Sequence, residues 1–218
     1  MTLPADPTLD EIRAALAPLI AANAAFDGWK AAARDIAADA LDVDRDVASL
    51  ALPDAVAMID AWFGWIDAGM ADALPAEKLA TMKVREKIAA LVEARLTLLA
   101  PHRESLRRAL AILAMPQHAA HGAKLGWHAA DLMWRAAGDT ATDYNHYTKR
   151  AMLGAVYGAT VTVFLDDDSE GQANTRAFLA RRIEGIMRFE KAKGHFLGRF
   201  EHRPSLSRFI GRLRYPAV

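Results

Sequence analysis

From Thr8 onward the apolar positions recur with a helical period. Leu9, Ile12, Leu16, Leu19 and Ile20 share one face of a helix predicted over about residues 8–24, with Pro18 expected to kink its last turn. Trp29, Ala33, Ile36, Ala37 and Ala40 mark a second, shorter helix, and residues 44–50 a third. Three short helices joined by tight turns outline a helix-turn-helix unit. Longer helices follow over about 54–73, 76–99, 102–115, 118–137, 141–166 and 173–192, punctuated by Pro75, Pro101, Pro116, Gly138-Asp139 and the acidic turn Asp166-Asp167-Asp168-Ser169. No stretch alternates with period two, and 47 alanines favour helix over strand. The expected fold class is all-α, a bundle of about nine helices, divided into a helix-turn-helix-like region (1–52), a main helical domain (53–192) and a linker with a terminal helix (193–218).

That last helix has a pattern of its own. Beyond the expected breaks at Gly194, Gly198 and Pro204, Leu206, Phe209, Ile210 and Leu213 fall in one apolar arc, while Arg208, Arg212 and Arg214 lie outside it. A basic amphipathic helix of this kind suits the plane of an anionic bilayer, with Phe209 as a wedge and arginines on headgroups; docking on its own domain or on a second subunit is the alternative.

Charge sharpens the division. The 27 Lys and Arg balance 27 Asp and Glu overall, yet residues 1–80 hold 5 basic against 14 acidic residues, and residues 171–218 hold 11 against 3. The basic tail points to an anionic partner and the acidic front does not. The absence of cysteine removes disulfides, thiolate nucleophiles and zinc–sulfur sites. The start lacks the basic and apolar regions of a secretory signal, so the expected address is the cytoplasm. The longest strongly apolar uncharged run, 151–165, is 15 residues, short of the roughly 18–20 that span a bilayer.

Catalytic signatures are missing: no glycine-rich phosphate loop, no nucleophile elbow, no His-Glu-x-x-His, and no glutamate followed three positions later by histidine as a di-iron bundle requires. His118, His121 and His128 lack companion ligands in the sequence, so neither metal nor cofactor is assigned. Around residues 131–150 aromatics, charges and a Gly turn crowd together, and Asp143, His146, Tyr147 and Arg150 recur as a polar-aromatic stripe. Such a stripe suits a partner surface, an intrahelical network around Asp143 and Arg150, or acid–base chemistry by Asp143 and His146. The helix that follows is apolar on nearly every face and is expected to be buried. Its small residues leave room in which Leu110, Leu113, Met115, Leu125 and Trp127 could line a cavity for a lipid tail; close packing or a dimer seam is the alternative.

The run Met133-Trp134-x-x-Ala137-Gly138-Asp139-x-x-Thr142-Asp143-Tyr144-Asn145-x-Tyr147-Thr148-x-Arg150-Ala151-Met152-Leu153 resembles the signature of the ubiquinone-biosynthesis accessory proteins of mitochondria and alphaproteobacteria. The likeness extends from about Gly28 to Glu184, through Arg95-Leu96-x-x-Leu99-x-Pro101 and Arg108-Ala109-Leu110-x-Ile112-Leu113-x-x-Pro116. The resemblance implies a TetR-like fold, a homodimer made by late helices, no enzymatic activity, and a pocket for an isoprenoid quinone precursor or phospholipid. It further implies presentation of that lipid to the demethoxyubiquinone hydroxylase at the inner face of a membrane. By position, the partner-binding patch falls on Met133, Trp134, Asp143, His146, Tyr147 and Arg150. The lipid is expected near Leu110, Leu113, Trp127, Met152 and Val156, and the membrane at Leu206, Arg208, Phe209, Ile210, Arg212 and Leu213. A TetR-type transcriptional regulator is the rival reading. Against it, the candidate recognition segment, residues 42–50, carries three Asp and one Arg, so its field repels phosphate and no nucleic-acid partner is expected.

Overall fold

A computed structural model describes residues 3–4, 6–140 and 144–201 of the 218-residue chain. Among these are ten α-helices and no strand: α1 (Leu9–Asp27), α2 (Ala31–Asp39), α3 (Arg45–Ala51), α4 (Ala55–Ala73), α5 (Ala76–Ala80), α6 (Val84–Leu99), α7 (Arg103–Leu113), α8 (Ala119–Ala136), α9 (Tyr144–Leu165) and α10 (Ala173–Glu201).

Local chemistry starts and stops them. Thr8 and Glu11 form a reciprocal cap at α1, the Thr8 N–H donating to Glu11 Oε2 at 2.8 Å and the Glu11 N–H to Thr8 Oγ1 at 3.3 Å. Gly28, at φ +73°, ends the same helix in a conformation that L side chains rarely adopt. Asp44 caps α3 by accepting from Asp46 and Val47 N–H, and Asp54 caps α4 through Ala57 N–H at 2.8 Å. At the head of α10, Asp167 accepts from the Thr175 N–H (2.8 Å) and hydroxyl (2.6 Å) and from the Ser169 N–H (3.0 Å). Those hydrogen bonds, from Ser169 first and then Thr175, hold its carboxyl far below the usual carboxylate range.

Two predicted elements differ from those observed. The single helix expected over 76–99 is interrupted at residues 81–83, where the Glu86 carboxylate takes the Lys83 N–H at 3.0 Å and starts α6 afresh. The expected linker from residue 193 is instead helical as far as Glu201, running through Gly194 and Gly198. Glycine in a helix costs only about 1 kcal/mol, less than the cooperativity of a long helix supplies. The amphipathic segment at 206–213 lies outside the described residues.

The core sits between α1 and α4. Ile12, Leu16 and Ile20 of α1 are buried against Met58, Ile59, Trp62 and Ile66 of α4, whereas Leu9 and Ile36, assigned to apolar faces by period alone, reach solvent. Trp29 stacks on Trp62 with ring centroids 5.3 Å apart and donates Nε1–H to the Ser105 carbonyl at 2.9 Å, tying the first three helices to α7. Further along, α4 packs on α6, α7 and α8, and α10 lies over α9 and α6. α8 and α9 form an antiparallel pair, as the order of their contacts shows: Trp134 meets Lys149, Asp131 meets Arg150, and Gly126 approaches Gly154.

Candidate functional site

Helices α4, α6, α7, α8 and α9 enclose a cavity of about 480 Å³, within the range of roughly 300–1,000 Å³ typical of small-molecule sites. Its walls are apolar: Phe63 from α4, Leu106, Leu110 and Leu113 from α7, Leu125 and Ala129 from α8, Val161 from α9. Glycine lines part of it. At Gly126 and Gly158 an added Cβ would meet nothing within 4 Å, so both leave open space beside the cavity, Gly158 at its solvent-exposed edge. Gly122 has the opposite role: a Cβ there would come within 3.2 Å of Leu113 Cβ and 3.3 Å of its carbonyl oxygen, so glycine eases the close approach of α8 to α7.

One end of the cavity is polar. Arg95 is 1% exposed; its Nε donates to the Tyr157 hydroxyl at 3.1 Å and its Nη1 to Asp67 Oδ1. Asp67 Oδ2 lies 3.8 Å from His128 Nε2. Burial works against the Arg95 charge, but Tyr157 and Asp67 outweigh it and hold the guanidinium above its ordinary pKa. Apolar walls with a compact polar end match an amphiphile better than a hydrocarbon or an ion.

Of the residues assigned to lipid from sequence, Leu110 and Leu113 line this cavity. Trp127, Met152 and Val156 do not. Trp127 is 37% exposed and faces Tyr147, itself 61% exposed, with ring centroids 6.2 Å apart; Val156 packs at the edge of the core. Met152 and Val156 stand two places before the lining residues Gly154 and Gly158, and Trp127 one place after Gly126, so each is turned about 100° or more round its helix from them, which a run apolar on every side conceals. Sequence reading missed the polar end altogether. The signal was Arg95 within an otherwise apolar helix face, spaced at i+4 from Leu91 and Leu99.

The segment assigned to partner binding divides in two. Met133, Trp134 and Arg150 are buried. Arg150 bridges Asp131 (2.5 Å) and Asp139 (3.0 Å), Lys149 reaches Asp139 at 2.7 Å and lies over the Trp134 ring, and the Trp134 Nε1–H bonds the Lys149 carbonyl at 3.0 Å. Burial raises the pKa of Asp131 and Asp139, yet Arg150, with Arg135 for the first and Lys149 for the second, outweighs it and holds both carboxyls below their usual range. These residues clamp the α8–α9 pair together, because a buried arginine needs carboxylates and both lie on the preceding helix and turn. Tyr147 remains on the surface, its ring 5.1 Å from that of half-buried His146 and beside Trp127. Asp143, at the centre of the expected stripe, lies outside the described residues. The residues expected to be buried all round α9 leave one face open: Ala151, Ala155, Gly158, Ala159 and Thr162 are exposed.

Among the described residues no group of three or more His, Asp or Glu is placed to hold a metal ion, and His121 is paired with Asp60 at 2.7 Å. No single helix among them is long and apolar enough to cross a membrane. In the helix-turn-helix region, Arg45, the single cation of α3, is engaged by Asp39 through two hydrogen bonds of 2.9 and 2.6 Å.

The cavity and the clamp both fall within residues 119–190 in large part, and that segment matches the family model described as COQ9. Over this segment the chain is similar to the COQ9 family. It is 42% identical over 96 residues to the human mitochondrial ubiquinone biosynthesis protein COQ9, covering 44% of this chain and 30% of that protein. Against the Bos taurus protein it is 32% identical over 167 residues, 73% of this chain and 52% of the relative. The chain thus spans about a third to a half of the curated COQ9 proteins it matches. Its fold is similar to a TetR transcriptional regulator from Nitrosomonas europaea, with a TM-score of 0.64, 21% identity, and coverage of 79% of this chain and 96% of that one. The fold of this chain is therefore TetR-like, and the curated relatives it matches are ubiquinone biosynthesis proteins.

Proposed function

We propose that this COQ9-like chain is a non-enzymatic accessory of ubiquinone biosynthesis that takes an isoprenoid quinone precursor into the α4–α9 cavity and presents it to the demethoxyubiquinone hydroxylase. The observation that carries this reading is the cavity itself: apolar walls, one polar end and a volume of about 480 Å³, lined in large part by the segment that matches the family. The exposed Trp127–Tyr147 pair beside His146 supports an enzyme-docking role for that corner, since exposed aromatics with polar edges are the types enriched at binding hot spots. The open small-residue face of α9 supports a homodimer through the late helices. Peripheral attachment to the inner face of an anionic membrane rests on the sequence pattern of Leu206, Phe209, Ile210 and Leu213 with their flanking arginines.

Gly126→Leu and Gly158→Leu test the reading. Each side chain would grow into the void, and each replaces glycine in a helix by a better helix former, so the fold is retained. Titration with a short-tailed isoprenoid quinone should give saturable binding to the wild type and at least tenfold weaker binding to either variant. Undiminished binding to both variants would overturn the assignment of lipid to this cavity.

A further inference from the structure

Arg95 is buried in an apolar setting, yet two groups at its end of the cavity, its Nη2 and the Tyr157 hydroxyl, have donor hydrogens to spare. Its Nε and Nη1 are bound to Tyr157 and Asp67, and among the described residues no hydrogen bond engages its Nη2. The Tyr157 hydroxyl accepts from Arg95 and donates to nothing among the described residues. Both residues line the cavity. An arginine carries five N–H donors, and one that opens onto an apolar cavity is available to an accepting group on a ligand.

We propose that Arg95 Nη2 and the Tyr157 hydroxyl form a recognition subsite for an uncharged head group with accepting oxygens, carbonyl or ether, at the end of an apolar tail. This deepens the lipid-binding reading and rests on it. The sign of the site selects the head group. Asp67 already neutralises Arg95, so a carbonyl oxygen gains two donors at no net charge, whereas a phosphate would bring an unmatched negative charge up against the Asp67 carboxylate. The tail then lies along Phe63, Leu106, Leu110, Leu113 and Val161, which offer no polar side-chain atom to compete with the head.

The test uses the full chain in detergent and three probes: decylubiquinone, decylbenzene with the same tail and no accepting head, and dihexanoylphosphatidylglycerol. The wild type should bind decylubiquinone at least tenfold tighter than decylbenzene, and the phospholipid no tighter than decylbenzene. Tyr157→Phe should cut the quinone preference by about threefold to tenfold, the worth of one hydrogen bond, while leaving decylbenzene binding unchanged. A preference unchanged in Tyr157→Phe, a wild-type preference near one, or tighter binding of the phospholipid would each overturn the subsite. Those wild-type comparisons remain decisive if Tyr157→Phe does not fold. Absence of binding by all three probes would instead overturn the lipid reading on which the subsite depends.

Discussion

Replacing Arg150 by alanine separates a clamp from a docking surface. The Arg150 side chain is 2% exposed, and its two carboxylate partners, Asp131 and Asp139, are 14% and 7% exposed, so removing it strands two poorly solvated charges. Breaking a buried pair from one side costs about 3–5 kcal/mol. Arg135 still reaches Asp131 and Lys149 still reaches Asp139, which places this case at the lower end, about 3 kcal/mol. For a chain of this size that lowers the unfolding midpoint by roughly 6–12 °C. Arg150→Lys should fall between, since an ammonium cannot fork to two carboxylates. Thermal unfolding followed by circular dichroism reads the effect directly. A variant that melts at the wild-type temperature, and loses only its affinity for the hydroxylase, would refute the clamp and return Arg150 to the partner surface.

Three other outcomes follow from the same geometry. Asp131, Asp139 and Asp167 have lowered pKa values in the folded chain, so their contribution to stability is complete above the unfolded carboxylate range and is lost as pH falls below about 3.8; Asp131→Asn with Asp139→Asn should flatten that acid limb in a melting series from pH 7 to 3. Tyr147→Ala and Trp127→Ala touch an exposed pair, so each should leave the melting temperature nearly unchanged while weakening hydroxylase capture at least tenfold; full capture by the double variant would remove this corner as a docking site. Phe209→Asp should abolish co-sedimentation with anionic liposomes, and undiminished sedimentation would end the role of the tail as a membrane anchor.

Helix positions were legible in the chain because caps and periods agree: Thr8 with Glu11, Asp44, Asp54 and the Asp167 turn each start a helix close to where the pattern places one. The break at residues 81–83 was not, since Glu86 reads equally well as an ordinary surface glutamate of one long helix. For the site, Leu110 and Leu113 were found by their bulk, but Trp127 was drawn inward on hydrophobicity alone and stands outside, beside Tyr147. Met133, Trp134 and Arg150 belong to a motif whose long likeness to relatives suggested a shared surface. In this chain they are buried, and a motif string does not separate surface from interior. The pairing of Arg150 with Asp131 and Asp139 spans a helix hairpin, and only the hairpin's register brings the three together.

The most direct measurement of the central claim is mass spectrometry of the lipid that stays with the full chain after gentle extraction, wild type beside Gly126→Leu and Gly158→Leu. An isoprenoid quinone or its precursor near one per chain in the wild type, and lost from both variants, is the expected result. A lipid-free wild type that also takes up no added quinone, or a lipid retained equally by all three proteins, would contradict a cavity that carries the substrate.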